Sequence, residues 1–266
     1  NTASAENASA FGYVNEASGL ASSALGFRNK AANENASAVG YGNNAGGVAS
    51  SAFGFSNVAK VDYASAFGYS NEASGLASSA VGFRNKAANE NASAVGYGNN
   101  ANALAASAVG YNNTAGGVGS STIGYNNTAT NENASAFGYG NTAGGLASSA
   151  FGFSNTASGD NANAFGYNNI ASGSKSNVFG TGNTVSGSSS NAVGTANEVA
   201  AENSTAIGNN NTISSGAENS AALGNNISIS LKDSVALGNN STATAINSVT
   251  GNSSYTKWAG VSDVVG

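Results

Sequence analysis

Ser65-Ala66-Phe67-Gly68-Tyr69-Ser70-Asn71-Glu72-Ala73-Ser74-Gly75-Leu76-Ala77-Ser78 runs straight into Ser79-Ala80-Val81-Gly82-Phe83-Arg84-Asn85-Lys86-Ala87-Ala88-Asn89-Glu90-Asn91-Ala92, a second version of the same phrase. The anchor of the phrase is a glycine. It recurs every 14 residues from Gly12 to Gly208 without a break, and again at Gly224 and Gly238. The spacing of 16 between Gly208 and Gly224 gives one repeat two extra residues, expected as a bulged turn near Ser214-Ser215-Gly216. Self-similarity at a short fixed period marks stacked supersecondary units rather than an irregular globule.

Aligned on that glycine, the preceding residue is always bulky and apolar: Phe11, Leu25, Val39, Phe53, Phe67, Val81, Val95, Val109, Ile123, Phe137, Phe151, Phe165, Phe179, Val193, Ile207, Leu223 and Leu237. One place earlier stands Ala, except at Thr122 and Val178. Three places after the glycine comes Asn, from Asn15 to Asn211, and five places after it Ala, or Val185, Val199 and Ile213. All 11 Phe flank the repeat glycine, and most Tyr follow it directly, as Tyr13, Tyr41, Tyr69 and Tyr97 do. Residues 64–101 repeat 8–45 with only Val14/Ser70 and Leu25/Val81 changed, an offset of four whole repeats. Asn1, Ala3 and Glu6 match Asn15, Ala17 and Glu34, so the array is expected to have been cut from a longer one.

Ser-Ala-Phe-Gly-Tyr alternates two kinds of side chain, as a short strand does, and Asn-x-Ala-x-Gly supplies a second extended piece bounded by turn formers. Glycine inside every would-be turn and the lack of a 3.6-residue apolar period exclude helix. A disordered tract would not hold a bulky apolar residue in phase through seventeen repeats. The expected fold class is all-β, a parallel solenoid of 14-residue coils. A perimeter of about 46 Å leaves two facing strands with room between them for little more than Ala. Alternation then sends the residue before the glycine to the opposite face, as an apolar stripe about 80 Å long on a lone chain. Such a stripe requires a partner, and closed symmetry supplies one, two-fold or three-fold. The reverse assignment, Ala toward the partner and Phe inward, is the alternative.

Composition narrows function. The 266 residues include 37 Gly but no Pro, Cys, Met or His. Without Cys there is no disulfide or thiolate metal site, and without His the usual general base and commonest metal ligand are missing. No catalytic residue, metal site or cofactor is assigned. A net charge of −5 opposes phosphate neutralisation, so nucleic acid is set aside as a partner. No apolar run is long enough to cross a bilayer as a helix, and the first residues lack a signal peptide's pattern, so an export signal or membrane anchor is expected outside this stretch.

Asn203-Ser204-Thr205-Ala206-Ile207-Gly208-Asn209-Asn210-Asn211-Thr212-Ile213 and Asp233-Ser234-Val235-Ala236-Leu237-Gly238 resemble the head repeat of trimeric autotransporter adhesins, the YadA-like head, whose phrase runs roughly N-S-V-A-I-G-x-x-S-x-A. One copy of that phrase is degenerate; seventeen in register are specific. The resemblance implies a left-handed parallel β-roll and a homotrimer around one axis, with the column from Phe11 to Leu237 as trimer core. It also implies display on the outer membrane of a Gram-negative bacterium, stalk and anchor following. It assigns residues 1–246 to head repeats, aromatic-rich over 1–170 and Thr/Asn-type over 171–246, and 247–266 to a capping segment. There Tyr255-Thr256-Lys257-Trp258-Ala259-Gly260-Val261 resembles the start of a Trp-bearing element that closes such heads, with Trp258 as the capping residue. The sequence departs from the family phrase in having Asn where Ser is common, and in the added aromatic after the glycine.

The Asn column reads either as stacked amides bonded between coils, with Asn tolerating a left-handed turn, or as a polar ligand ladder. The aromatic column reads as buried against a neighbouring subunit or the roll edge, or as an exposed adhesive stripe. Across one coil Glu16 faces Lys30 and Glu72 faces Lys86, with Arg28 and Arg84 beside them. Arg28, Lys30, Arg84, Lys86, Tyr13, Tyr41, Tyr69 and Tyr97 are therefore the candidate surface-binding residues. The acidic residues Glu34, Asp62, Glu90, Glu132, Asp160 and Glu202 are expected as solvated turn charges, too far apart to chelate a cation. Asn-x-Ser/Thr triplets such as Asn35-Ala36-Ser37 arise by composition and are given no glycosylation role, and no glycine-rich stretch has the ending of a phosphate loop.

The functional expectation is an adhesive head that binds extracellular matrix proteins, cell surfaces or abiotic surfaces and brings sister cells together. A rigid spacer without binding of its own is the main competitor. An ice-binding solenoid would need a flat Thr array, and Thr is sparse outside Thr114, Thr128, Thr142 and Thr156. A polysaccharide-cleaving β-helix would need longer, irregular coils and a carboxylate or basic cluster.

Overall fold

A computed structural model describes residues 1–244. They contain strands, turns and no helix, in two compact units, residues 1–134 and the residues from 135 onward. In the first unit the long strands are Ser9–Tyr13, Ser23–Phe27, Ser37–Tyr41, Ser51–Phe55, Ser65–Tyr69, Ser79–Phe83, Ser93–Tyr97, Ser107–Tyr111 and Ser121–Tyr125. Those from Ser9–Tyr13 to Ser107–Tyr111 each pair in parallel with the strand one repeat on, so Ala66 lies beside Ala80, Phe67 beside Val81 and Gly68 beside Gly82. Two-residue strands such as Glu72–Ala73 and Lys86–Ala87 make a second parallel ladder. The second unit is built alike, with long strands from Ser135–Tyr139 to Val235–Leu237 and short ones from Thr142–Ala143 to Thr242–Ala243. A parallel β-solenoid of 14-residue coils is thus the observed architecture, with the strands where the repeat phrase puts them.

The interior is alanine. Ala66, Ala73, Ala80 and Ala87 are completely buried, and the matching positions form one core cluster running through the first unit. Two strands whose facing side chains are single methyl groups lie close, so each coil is thin and its neighbours above and below supply most of its packing. In the second unit the interior grows, with Val178, Val185, Val199, Ile213, Ile227 and Ile229 among the largest fully buried side chains.

Two corners close every coil. Residues seven apart hold the left-handed conformation, among them Tyr63, Ser70, Ala77, Arg84, Asn91, Ala105 and Asn112, all with φ between 53° and 60°. Their backbone N–H groups still reach the coil before, as from Arg84 to the Tyr69 carbonyl at 2.9 Å and from Asn91 to the Leu76 carbonyl at 2.9 Å. The repeat glycine has a different task. At Gly68 φ is +118°, and a Cβ would stand 2.1 Å from the Gly82 carbonyl oxygen of the next coil. Both the torsion and the approach exclude a side chain.

The Asn column forms an internal ladder. Asn85 donates through its backbone N–H and its Nδ2 to Asn71 Oδ1, at 2.9 and 3.0 Å, and its Nδ2 also reaches the Val81 carbonyl at 2.9 Å and the Gly96 carbonyl at 2.6 Å. The pattern repeats from Asn1 and Asn15 up the first unit, and in the second unit from Asn155, bonded to Asn141, to Asn211. It ends where Ile227 donates its backbone N–H to Asn211 Oδ1 at 3.0 Å. The left-handed residue expected in this column is one place earlier, at Arg84 or Ser70, because the amides must point inward to bond. A second, shorter ladder of buried hydroxyls runs through Ser190, Ser204 and Ser220, each Oγ accepting the backbone N–H of the next member.

The two-residue insertion is an extra turn at Ser215-Gly216, closed by Ala217 N–H on the Ser214 carbonyl at 2.9 Å. Register resumes at once, with Ala206 beside Ala222 and Ile207 beside Leu223. The turn extends outward without displacing the strands.

Candidate functional site

Alternation along each long strand puts both large residues, the one before the glycine and the one after it, on the outside of the roll. The first column is partly exposed in the single chain, its exposed members running from 37% at Phe67 to 51% at Leu223 and higher at Phe11, with Val39, Phe53, Val95, Val109, Phe137, Phe151, Phe165 and Leu237 half-buried. Leu25, Val81, Phe179, Val193, Ile207 and Leu223 are exposed members of the same column. Their neighbours within the column cover part of each side chain. Phe53 and Phe67 stack at 5.1 Å, and Phe151, Phe165 and Phe179 stack in turn.

The second column is a ring ladder. In the first unit Tyr13, Phe27, Tyr41, Phe55, Tyr69, Phe83, Tyr97, Tyr111 and Tyr125 follow one another at 4.8–5.0 Å, with planes within 16° of parallel. Parallel in-register pairing forces this, since equivalent side chains stand one strand spacing apart and planar rings meet that spacing by offset stacking. The guanidinium of Arg28 lies 5.2 Å from the Phe27 centroid and that of Arg84 5.1 Å from the Phe83 centroid, each at a left-handed corner.

Lys30 and Glu16, partners in the short-strand ladder, form an ion pair at 3.2 Å with both side chains about half exposed. Glu72 and Lys86 occupy the same register positions four coils on. The first unit therefore carries the same group twice: a stacked ring, a guanidinium over it, and a lysine opposite a glutamate.

The corner acids do more than meet solvent. Asp62 Oδ1 accepts the Val48 backbone N–H at 2.8 Å, and Asp160 Oδ1 accepts that of Leu146 at 3.0 Å. Here the carboxylate ties one coil to the coil before it. The same position supplies a third outer column that the sequence reading did not single out, with Leu20, Leu76, Leu104, Val118 and Leu146 exposed and Glu34, Asp62, Glu90, Glu132 and Asp160 interspersed. Its signal is an alternation of apolar and acidic residues from Leu20 to Leu104, taken up again from Val118 to Asp160, and hidden because the two kinds share one place in the phrase. The capping element around Trp258 lies outside the described residues.

Chemically, the surface offers apolar stripes, ring edges and scattered charge. Among the described residues no three of His, Cys, Asp and Glu cluster as metal ligands, and no helix is long and apolar enough to cross a membrane.

The model of the YadA head domain repeat matches residues 17–43, 45–71, 73–99, 87–113, 115–141, 143–169, 186–211 and 232–249, in units of two coils. The matched segments follow the 14-residue phase and leave out the stretch around the Ser215-Gly216 turn. No curated protein matches the chain. The family is an adhesin structural domain, not a known enzyme family, and its members belong to surface-exposed proteins. The repeat phrase, the thin alanine-cored coils and the match over most of the chain together place this protein in the YadA head domain repeat family, as a head domain of a trimeric autotransporter adhesin.

Proposed function

We propose that three copies of this chain pack as a left-handed roll around one axis, with the column from Phe11 to Leu237 as their shared core, and that the outer surface of the trimer attaches to host matrix proteins, other cells and abiotic solids. The observation that carries this reading is the apolar column that each unit leaves outside its buried interior. Members such as Leu25, Phe179 and Ile207 still have more than 40% of their area exposed, and the rest of the column is half-buried or exposed. Covering that remainder is worth about 1 kcal/mol per side chain, repeated at every coil. Residues 1–246 then serve as head repeats and 247–266 as the segment that closes them.

Attachment is assigned to the ring ladder and its charged flank, Tyr13, Tyr41, Tyr69 and Tyr97 with Arg28, Lys30, Arg84 and Lys86. The duplicated group gives every chain at least two equivalent weak sites, which three copies multiply, so avidity rather than one tight contact supplies the hold. The test is retention of the isolated protein on immobilised matrix proteins, on cells and on plastic or glass. Retention on at least one, weakened in the quadruple variant Arg28→Ala/Lys30→Ala/Arg84→Ala/Lys86→Ala, supports the adhesive reading. Absence of retention on all of them supports a rigid spacer in its place.

A further inference from the structure

The place after the glycine alternates Tyr with Phe from Tyr13 to Tyr97 and then holds four tyrosines in succession, of which Tyr97, Tyr111 and Tyr125 lie in residues 1–134. Tyr97 and Tyr111 stand 4.8 Å apart with planes 5° from parallel, and Tyr111 and Tyr125 4.8 Å apart at 2°. Strand register holds both pairs in place, and the three rings are 41%, 41% and 44% exposed. We propose that this run is an oxidative modification site, at which a peroxide acting through a haem peroxidase couples adjacent tyrosines into dityrosine and joins consecutive coils covalently.

The chemistry balances without any group beyond the named oxidant. One peroxide removes a hydrogen atom from each of two phenol O–H groups and leaves as two waters. The two tyrosyl radicals, whose spin density lies partly on the ring carbons beside the oxygen, form one bond between a Cε of each ring. Each of those carbons then releases its hydrogen as a proton and each phenolic oxygen takes one up. The net loss is two hydrogens per bridge.

Position is what singles out this run. Parallel in-register strands set ring beside ring at 4.8 Å, so two adjacent tyrosyl radicals are held as neighbours and their ortho carbons meet once the rings turn out of the stack about the Cβ–Cγ bonds. Lower in the ladder every ring next to a tyrosine is a phenylalanine, as Phe27 and Phe55 are to Tyr41, and the next phenol is two coils away at about 9.6 Å. Phenylalanine has no O–H to oxidise. The coils below Tyr97 therefore lack an adjacent partner for coupling within the column, and the site is confined to a few coils.

The full chain at low concentration is treated with a haem peroxidase and hydrogen peroxide, and dityrosine is read by its blue fluorescence and by mass mapping of the digested chain. The expected result is linked peptides containing Tyr97, Tyr111 and Tyr125, each short of two hydrogens, in chains that keep the single-chain mass on denaturation. The double variant Tyr111→Phe/Tyr125→Phe is expected to lower the fluorescence about tenfold or more. Tyr41→Phe/Tyr69→Phe, which removes as many phenols from positions without tyrosine neighbours, is expected to leave it unchanged. Both variants place Phe where the column already accepts it at Phe27, Phe55 and Phe83, so folding is retained. Absence of dityrosine in the parent chain, an equal yield after Tyr111→Phe/Tyr125→Phe, or a yield lost after Tyr41→Phe/Tyr69→Phe overturns the proposal.

Discussion

At the scale of the residue, the molecule is held by groups that have one acceptable identity. Asn71 is one: replacing it by Ala removes the acceptor for the Asn85 N–H and Nδ2 and the donor to the Phe67 and Gly82 carbonyls. Buried groups left without partners cost roughly 1–3 kcal/mol each, so Asn71→Ala is expected to lower stability by about 3 kcal/mol in denaturant unfolding. Gly68→Ala meets the Gly82 carbonyl at 2.1 Å and needs a positive φ, and should cost at least as much as Asn71→Ala in the same assay. Ala77 is the opposite case, an alanine held at φ 53°. Ala77→Asn, the residue found at the equivalent corner Asn91, is expected to stabilise by about 0.5–1 kcal/mol. The Asn and Gly columns were legible in the sequence because each tolerates little else. The left-handed corners were not, because Val14, Arg28, Tyr63, Ser70 and Ala77 all occupy them. There the backbone torsion is imposed by closure of the coil and by hydrogen bonds to the coil before it, and the side chain points to solvent, so no residue type marks the place.

At the scale of the element, the unit is the whole coil and the rule is phase. Deleting residues 65–78 removes one phrase and leaves every column aligned, so strand content and the sharp unfolding transition should survive in circular dichroism. Deleting Ser65 alone should not be tolerated, because a one-residue slip exchanges the inner and outer faces of the strand that follows. Exposed charge matters little at this scale: Lys30→Ala loses the 3.2 Å pair with Glu16 and should change stability by less than about 0.5 kcal/mol. Strand positions, the alanine interior and the turn at Ser215-Gly216 could all be read from the 14-residue period, since alternation and one insertion determine them. The stacking of Tyr13 through Tyr125 follows from the same period once parallel register is granted. The third outer column was hidden by mixed chemistry, Leu20 and Leu76 sharing a position with Glu34 and Asp62.

At the scale of the whole molecule, the account turns on the apolar column that the coils leave outside. A thin stack of alanine-cored coils buries little per residue, and the outer column from Phe11 to Ile123 in the first unit, like that from Phe137 to Leu237 in the second, leaves apolar side chains still open to burial. Phe67→Asp, Phe137→Asp and Phe151→Asp each place a charge in that column and are expected to dissociate or unfold the assembly, visible as a loss of mass or of β signal. The most direct measurement is the mass of the undenatured protein in dilute solution, by light scattering or native mass spectrometry. The account predicts three times the 25.6 kDa chain; a folded species that stays at 25.6 kDa as concentration rises would contradict it.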